Sequence, residues 1–310
     1  GGTAKYTAGG VLAPNGKIYF APASARRVLC IDPEADVVEM VGPEFAYRLA
    51  KYRANGVLAP NGLIYFAPAG ASRVMWVDPQ AGTAGLLGPE LGGSSAKYIA
   101  GGVLAPNGKI YFAPAGASHV LCVDPEAGTA VGLGAEIEAA SGNYYLADGV
   151  LGADGKLYFA PAGASRVMCV DPATDTTEML GPMLDCVFAK YTAGGVTAPN
   201  GKIYFAPAGV ERAMYIDPAA GVADLLGPEV EISSTNYAAG GVLAPDGKIY
   251  FAPASASRIM CIDPDSSAVQ VLGPELEGGP DKYAAGGVLA PNGRIYYAPN
   301  DSSKVLSIEP

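Results

Sequence analysis

The sequence predicts an all-β fold, a seven-bladed β-propeller of four-stranded antiparallel blades. Three observations carry the prediction. A segment that begins Tyr6-Thr-Ala-Gly-Gly-Val-Leu-Ala-Pro-Asn-Gly-Lys-Ile-Tyr-Phe-Ala-Pro returns behind Tyr52, Tyr98, Tyr145, Tyr191, Tyr237 and Tyr283, at intervals of 46 residues with a single 47. A fixed period of this size marks a repeat architecture. Each period holds short β-branched and aromatic runs divided by Pro, Gly and Asn, and no segment keeps a helical period over a useful length. Four short strands per period make one propeller blade. The blades run roughly over 1–51, 52–97, 98–144, 145–190, 191–236, 237–282 and 283–310, as a single domain.

The first copy justifies each strand in turn. Gly10-Val-Leu-Ala13 is short and apolar, and Pro14-Asn15-Gly16 makes a tight turn, because Pro presets φ and Asn-Gly tolerates positive φ. Lys17 to Ala21 is a second strand, ended by Pro22, which cannot donate to a ladder. Arg27 to Asp32 is a third strand, stopped by Pro33, and Asp36 to Val41 a fourth, stopped by Gly42-Pro43. The column Gly9, Asn55, Gly101, Asp148, Gly194, Gly240, Gly286 holds only residues that enter left-handed backbone easily, so a positive-φ kink is expected at the mouth of each inner strand. The seventh copy stops after its third strand, about 13 residues short of a full repeat. No Met opens the chain, so an upstream segment is expected to supply the missing strand. Otherwise Lys304 to Ile308 is an open edge that takes a strand from a partner.

Composition narrows the function classes. Half the residues are apolar and 16% are charged, which is a packed protein and not a disordered one. A net charge of −10 argues against nucleic acid and against an anionic membrane surface, since both need clustered Lys and Arg. No apolar run reaches the length of a membrane span, so no membrane insertion is expected, and no signal-peptide pattern opens the chain. Four of five cysteines, Cys30, Cys122, Cys169 and Cys261, share one column with Trp76, Tyr215 and Ser307. That is a packing position, and blade geometry puts Cys122 and Cys169 on the order of 14 Å apart, too far for a disulfide. Free thiols lean towards an intracellular, reducing compartment.

Most charges fall in columns. Antiparallel pairing sets Lys17 against Asp32, Lys109 against Asp124, Lys156 against Asp171, Lys202 against Asp217, Lys248 against Asp263 and Arg294 against Glu309 at one end of the blades. At the other end, the top, it brings Arg27, Arg73, His119, Arg212 and Arg258 near Glu44, Glu90, Glu136, Glu229 and Glu275. The glutamates therefore read as structural pairs and not as a cation ring. His119 is the lone histidine, too few for a multi-histidine metal site, and no Ser has a His–Asp relay beside it. No catalytic residue, metal ligand or cofactor is expected.

Departures from the repeat are where a specific site can sit. Of 20 basic residues only Arg26, Arg48 and Arg53 fall outside the columns, all near the top junction of blades one and two. The loop there carries Phe45, Tyr47 and Arg48, residue types enriched in interface cores. Between blades four and five, Met183-Leu184-Asp-Cys-Val-Phe188 replaces the usual Glu with Met183 and leaves Arg166 without its expected pair. These side chains either fold back to cover the barrel mouth or form a surface for a partner or ligand.

The template Gly-Val-x-x-Pro-Asn/Asp-Gly-x-Ile-Tyr-Phe followed by Arg-Val-x-x-Ile-Asp-Pro resembles the blades of virginiamycin B lyase, NHL-repeat and gluconolactonase-like propellers, across the whole chain. In the near-identity of its copies it is also similar to tandem-repeat propeller proteins of algae and protists, which imply no known activity. The lyase resemblance implies histidines and a glutamate beside magnesium, whereas this chain has only His119. The lactonase resemblance implies Glu, Asn and Asp around a metal, and Asn55 and Asp148 fall in the glycine column instead. The leading expectation is a non-enzymatic interaction or scaffold propeller binding protein through its top loops. A small-ligand or carbohydrate-binding propeller is the alternative, followed by a lactonase- or lyase-type enzyme.

Overall fold

The Pro-Asn-Gly hairpin gives each blade its shape. In the first, Ala13 N–H donates to Lys17 O at 2.9 Å and Gly16 N–H to Ala13 O at 3.0 Å, with Gly16 at φ +78°. A turn closed by a left-handed glycine matches the twist of the strands it joins. The strands of this blade are Val11–Leu12, Ile18–Phe20, Val28–Asp32 and Val37–Val41, hydrogen-bonded in sequence order. The computed structural model describes residues 4–46, 50–92, 96–137, 144–184, 189–231 and 235–310. Over these it has no helix, and its strands form six four-stranded antiparallel sheets and one of three strands. The fold is the seven-bladed, all-β propeller that the period predicts.

The chain divides into two compact units, Gly1–Tyr144 with Asp171–Thr177, and Tyr145–Val170 with Glu178–Pro310. In the first unit one apolar cluster joins Tyr19 and Cys30 of blade one to Phe66 and Met75 of blade two, and another joins Tyr65 to Phe112 and Leu121 of blade three. The second unit repeats this, with Tyr158 and Cys169 against Phe205 and Met214, Tyr204 against Phe251 and Met260, and Tyr250 and Cys261 against Ile295 and Tyr297. Cys30, Cys122, Cys169 and Cys261 are buried free thiols, as their column predicts. Cys186 lies outside the described residues.

Two devices join successive blades. Asn15 Nδ2 crosses to Pro79 O of blade two at 2.8 Å, and Asn61, Asn107 and Asn200 make the same bond to Pro125, Pro172 and Pro264. The residue that shapes the turn is therefore also an interblade latch. The Gly-Pro that ends each fourth strand is the second device. Gly42 has φ +74° and sits so close to the next blade that an added Cβ would lie 2.7 Å from Ala84 Cβ. Gly88, Gly134, Gly181 and Gly227 press likewise on Ala130, Thr177, Ala223 and Val269.

The structure corrects the positive φ expected of the Gly9 column. Left-handed backbone is found instead in the Gly16 and Gly42 columns and at Ala4, Ala50, Ala189 and Asp281, ahead of the blade-opening tyrosines. The first copy is crowded: an added Cβ on Gly9 would lie 3.0 Å from Asn55 Oδ1, whereas one on Gly194 or Gly286 would meet nothing within 4 Å. Asn55 suits this crowding by accepting Gly9 N–H at 2.8 Å.

The charge pairing needs correction too. Lys17–Asp32 at 3.4 Å, Lys202–Asp217 at 3.3 Å and Arg294–Glu309 at 2.6 Å form as expected. Lys109 instead reaches Asp175 of blade four at 2.8 Å, and Lys248 reaches Asp246 at 3.6 Å. Asp32 Oδ1 accepts N–H of Glu34 and Ala35, a cap on the hairpin after the third strand that recurs at Asp78, Asp124 and Asp263, while Asp32 Oδ2 faces Lys17. The backbone N–H of Ala35, followed by Lys17, holds the Asp32 carboxyl below its ordinary range.

Candidate functional site

The top end of each unit is built on the seven blade-opening tyrosines. Each hydroxyl donates to the carbonyl 21 residues on, from Tyr6 to Arg27 O through Tyr283 to Lys304 O, at 2.9–3.2 Å. Burial pushes the phenols of Tyr52, Tyr98, Tyr145 and Tyr191 far up, and that of Tyr237 to about 12. The residue before five of these tyrosines, Lys51, Lys97, Lys190, Asn236 or Lys282, sews two loops together. Lys51 N–H donates to Ala23 O of blade one, and its carbonyl accepts Ala69 N–H of blade two.

That position holds the least expected side chains. Lys51, Lys97, Lys190, Asn236 and Lys282 are all buried. Lys51 Nζ donates to Ala25 O at 2.6 Å, so a loop carbonyl solvates the ammonium, and desolvation lowers the Lys51 and Lys282 pKa values. Composition gives no sign of this. The only signal is the constant place of the lysine directly before a buried tyrosine.

Of the sequence-predicted site residues, Arg26 is exposed and paired with Glu44 at 3.4 Å, and Arg53 is exposed. Arg166 is half-buried, and its Nε has no hydrogen-bond partner. Met183 is 67% exposed. Tyr47, Arg48 and Phe188 lie outside the described residues. Phe45 and Leu184 do not stand on the surface. Phe45 is buried, edge-on to Tyr52 with ring centroids 6.4 Å apart, and Leu184 packs on the core of blades four and five. Both belong to a column that individual loops conceal, Phe45, Leu91, Ile137, Leu184, Val230, Leu276. Each of its backbone N–H groups donates at 2.6–2.8 Å to the loop before the third strand, as Phe45 does to Arg26 O.

The same end carries a groove that recurs in both units. Between blades two and three a hollow of about 450 Å³ is lined by Glu90, Leu91, Tyr98, Ser118, His119 and Gly132. Between blades five and six the counterparts Glu229, Val230, Tyr237, Ser257, Arg258 and Val271 line one of about 610 Å³. His119 Nδ1 is 2.9 Å from Ser118 Oγ, while Arg258 pairs with Glu275 at 3.4 Å. Arg212 turns from Glu229 and donates through Nε to Gly227 O. Among the described residues no three His, Cys, Asp or Glu side chains converge on a point.

No family model matches the sequence, and no curated protein matches it. Solved structures do match in fold. A streptogramin B lyase is 17% identical at a TM-score of 0.60, covering 98% of this chain and 94% of its own. The virginiamycin B lyase of Staphylococcus aureus is 14% identical at 0.60, with coverage of 98% and 94%. A Bacteroides uniformis protein described as a 6-phosphogluconolactonase is 15% identical at 0.54, over 94% and 87%. At these identities the likeness is one of fold, and unrelated chemistries share folds. The chain is a propeller that resembles the lyases in architecture.

Proposed function

We propose that the chain is a non-enzymatic interaction module that binds a protein partner through its top loops. The observation that carries this reading is Met183. It is 67% exposed at a position that is Glu in five other blades, and beside it in the repeat Arg166 keeps an unsatisfied Nε. Met and Arg are both residue types enriched in interface cores. Exposed Arg26 and Arg53 add positive charge to an otherwise acidic chain, which favours an acidic partner surface. Native and denatured masses of the protein from its source test the reading. A discrete assembly that Met183→Glu returns to the 31.4 kDa chain supports it. A bare monomer in the unsubstituted protein overturns it.

The two equivalent grooves favour a second reading, repeated binding of a small ligand such as a carbohydrate. Calorimetry against a sugar panel separates the two, since repeated grooves require more than one equivalent site per chain. Lyase-type catalysis has less support, because His119 is engaged with Ser118 in the column otherwise filled by Arg and Lys.

A further inference from the structure

We propose that the groove between blades five and six is a binding site for a primary amine carried on an apolar stem. The proposal rests on one part of the ligand reading above, that this groove holds a small molecule. It departs from that reading on equivalence, because the two grooves match in position but not in charge.

Three differences from the groove between blades two and three make the blade five and six groove more negative. The first is an ion pair that does not form. Glu90 of the former groove pairs with Arg73 at 3.7 Å, as Glu44 does with Arg27 and Glu275 with Arg258. Arg212 is drawn to Gly227 O instead, and among the described residues Glu229 has no ion pair. The second is Asn236. Lys97 lines the former groove, and its column is also lysine at positions 5, 51, 190 and 282. Asn236, 1% exposed, puts a neutral amide there. Its Nδ2 donates to Glu231 O at 2.8 Å, which fixes the loop that carries Glu231. The third is Glu231 itself, which lines this groove at the place of Gly92 in the other. One difference runs the other way, since Arg258 stands where His119 does, but Glu275 neutralises it at 3.4 Å. Two carboxylates, Glu229 and Glu231, are left uncompensated.

The remaining lining includes Val230, Val269 and Val271. The hollow of about 610 Å³ lies within the roughly 300–1,000 Å³ of small-molecule sites. An ammonium has N–H donors and no acceptor, so it complements a pair of carboxylates, and its apolar stem gains from the valines. An anionic ligand meets like charge at the same place. The ammonium can belong to a free amine or to a lysine side chain of a peptide.

The test titrates the chain Gly1–Pro310 by calorimetry with phenethylamine, with its neutral counterpart 2-phenylethanol, and with an acetylated and amidated Val-Lys-Val peptide. One amine site per chain is expected, with 2-phenylethanol at least about tenfold weaker. Glu229→Gln combined with Glu231→Gln is expected to weaken the amine at least about tenfold. Both side chains are exposed, so this variant keeps the melting temperature of the parent. Glu34→Gln combined with Glu126→Gln removes the same charge from exposed corners after the third strands and should leave binding unchanged. A tighter amine assigns the site to a free ligand and a tighter peptide to a lysine, and either supports the proposal. Binding of neither overturns it. So does binding at several equal sites, or binding that both double variants weaken alike, since each shows general attraction to an acidic surface. A sugar bound at two equivalent sites with no amine bound overturns this proposal and leaves the ligand reading standing.

Discussion

One nitrogen atom decides whether a hairpin is latched to the next blade. Asn200 Nδ2 donates to Tyr204 Oη at 2.9 Å and to Pro264 O at 3.0 Å, while its Oδ1 accepts Lys202 N–H. In blades four and six that residue is Asp154 or Asp246, which keeps the turn bond but has no N–H to give. Each accepts the tyrosine hydroxyl instead, at 2.7 and 2.9 Å. Asp154→Asn is therefore expected to raise stability by about 0.5–1 kcal/mol, read as a higher urea midpoint at unchanged m-value. No gain would mean that the latch is not formed. Ser267 offers a second case. It holds φ +59° at the corner where Gly82, Gly128 and Gly221 stand in other blades. Ser267→Gly relieves the left-handed strain and should add about 0.5–1 kcal/mol, smaller than the strain itself because glycine also loosens the unfolded chain. Thermal melts of the two proteins decide it.

At the scale of the element, the interblade segment is a strap and not an open loop. Its Gly-Pro presses on the next blade, its apolar residue returns a backbone bond to the third-strand loop, and its lysine joins two loops. Phe45→Ala is accordingly expected to cost about 3 kcal/mol through the cavity it leaves against Tyr52. A loss of partner binding at full stability would instead place Phe45 on the surface. The strands and hairpins were legible in the sequence because each rests on local chemistry repeated from blade to blade, and the buried thiols because their column holds Trp76 and Tyr215 in other copies. The strap was not, because its apolar residue varies from Phe to Leu, Ile and Val and reads as irregular until the columns are aligned. The burial of Lys51 was hidden for another reason: a charged side chain goes inside only where a carbonyl such as Ala25 O awaits it, and carbonyls leave no trace in a sequence.

For the whole molecule, the buried phenols and thiols set an alkaline limit. Tyr237 is pushed up to about 12, Cys122 to about 11 and Cys169 to about 12, all by desolvation first. A raised folded-state pKa gives stability that is complete below the unfolded value and is lost as pH climbs through the folded one. Unfolding should therefore begin as pH passes about 9–10, where unfolded Cys and Tyr start to ionise, and finish in one step. The lowered pKa values of Lys51 and Lys282 act in the opposite direction over the same range, but they are two groups against many. Tyrosinate absorbance and circular dichroism should change together. A smooth titration near the ordinary phenol value with the fold intact would contradict this burial. The latch has a genetic consequence as well. Most periods carry both a donor asparagine in the hairpin and an acceptor Asp-Pro corner, so the joints that asparagine latches are interchangeable along the gene. Unequal crossing-over that removes or duplicates one whole period rejoins a donor to an acceptor of the kind it had before, and repeat number becomes a quantity that recombination can change without a new interface having to be invented.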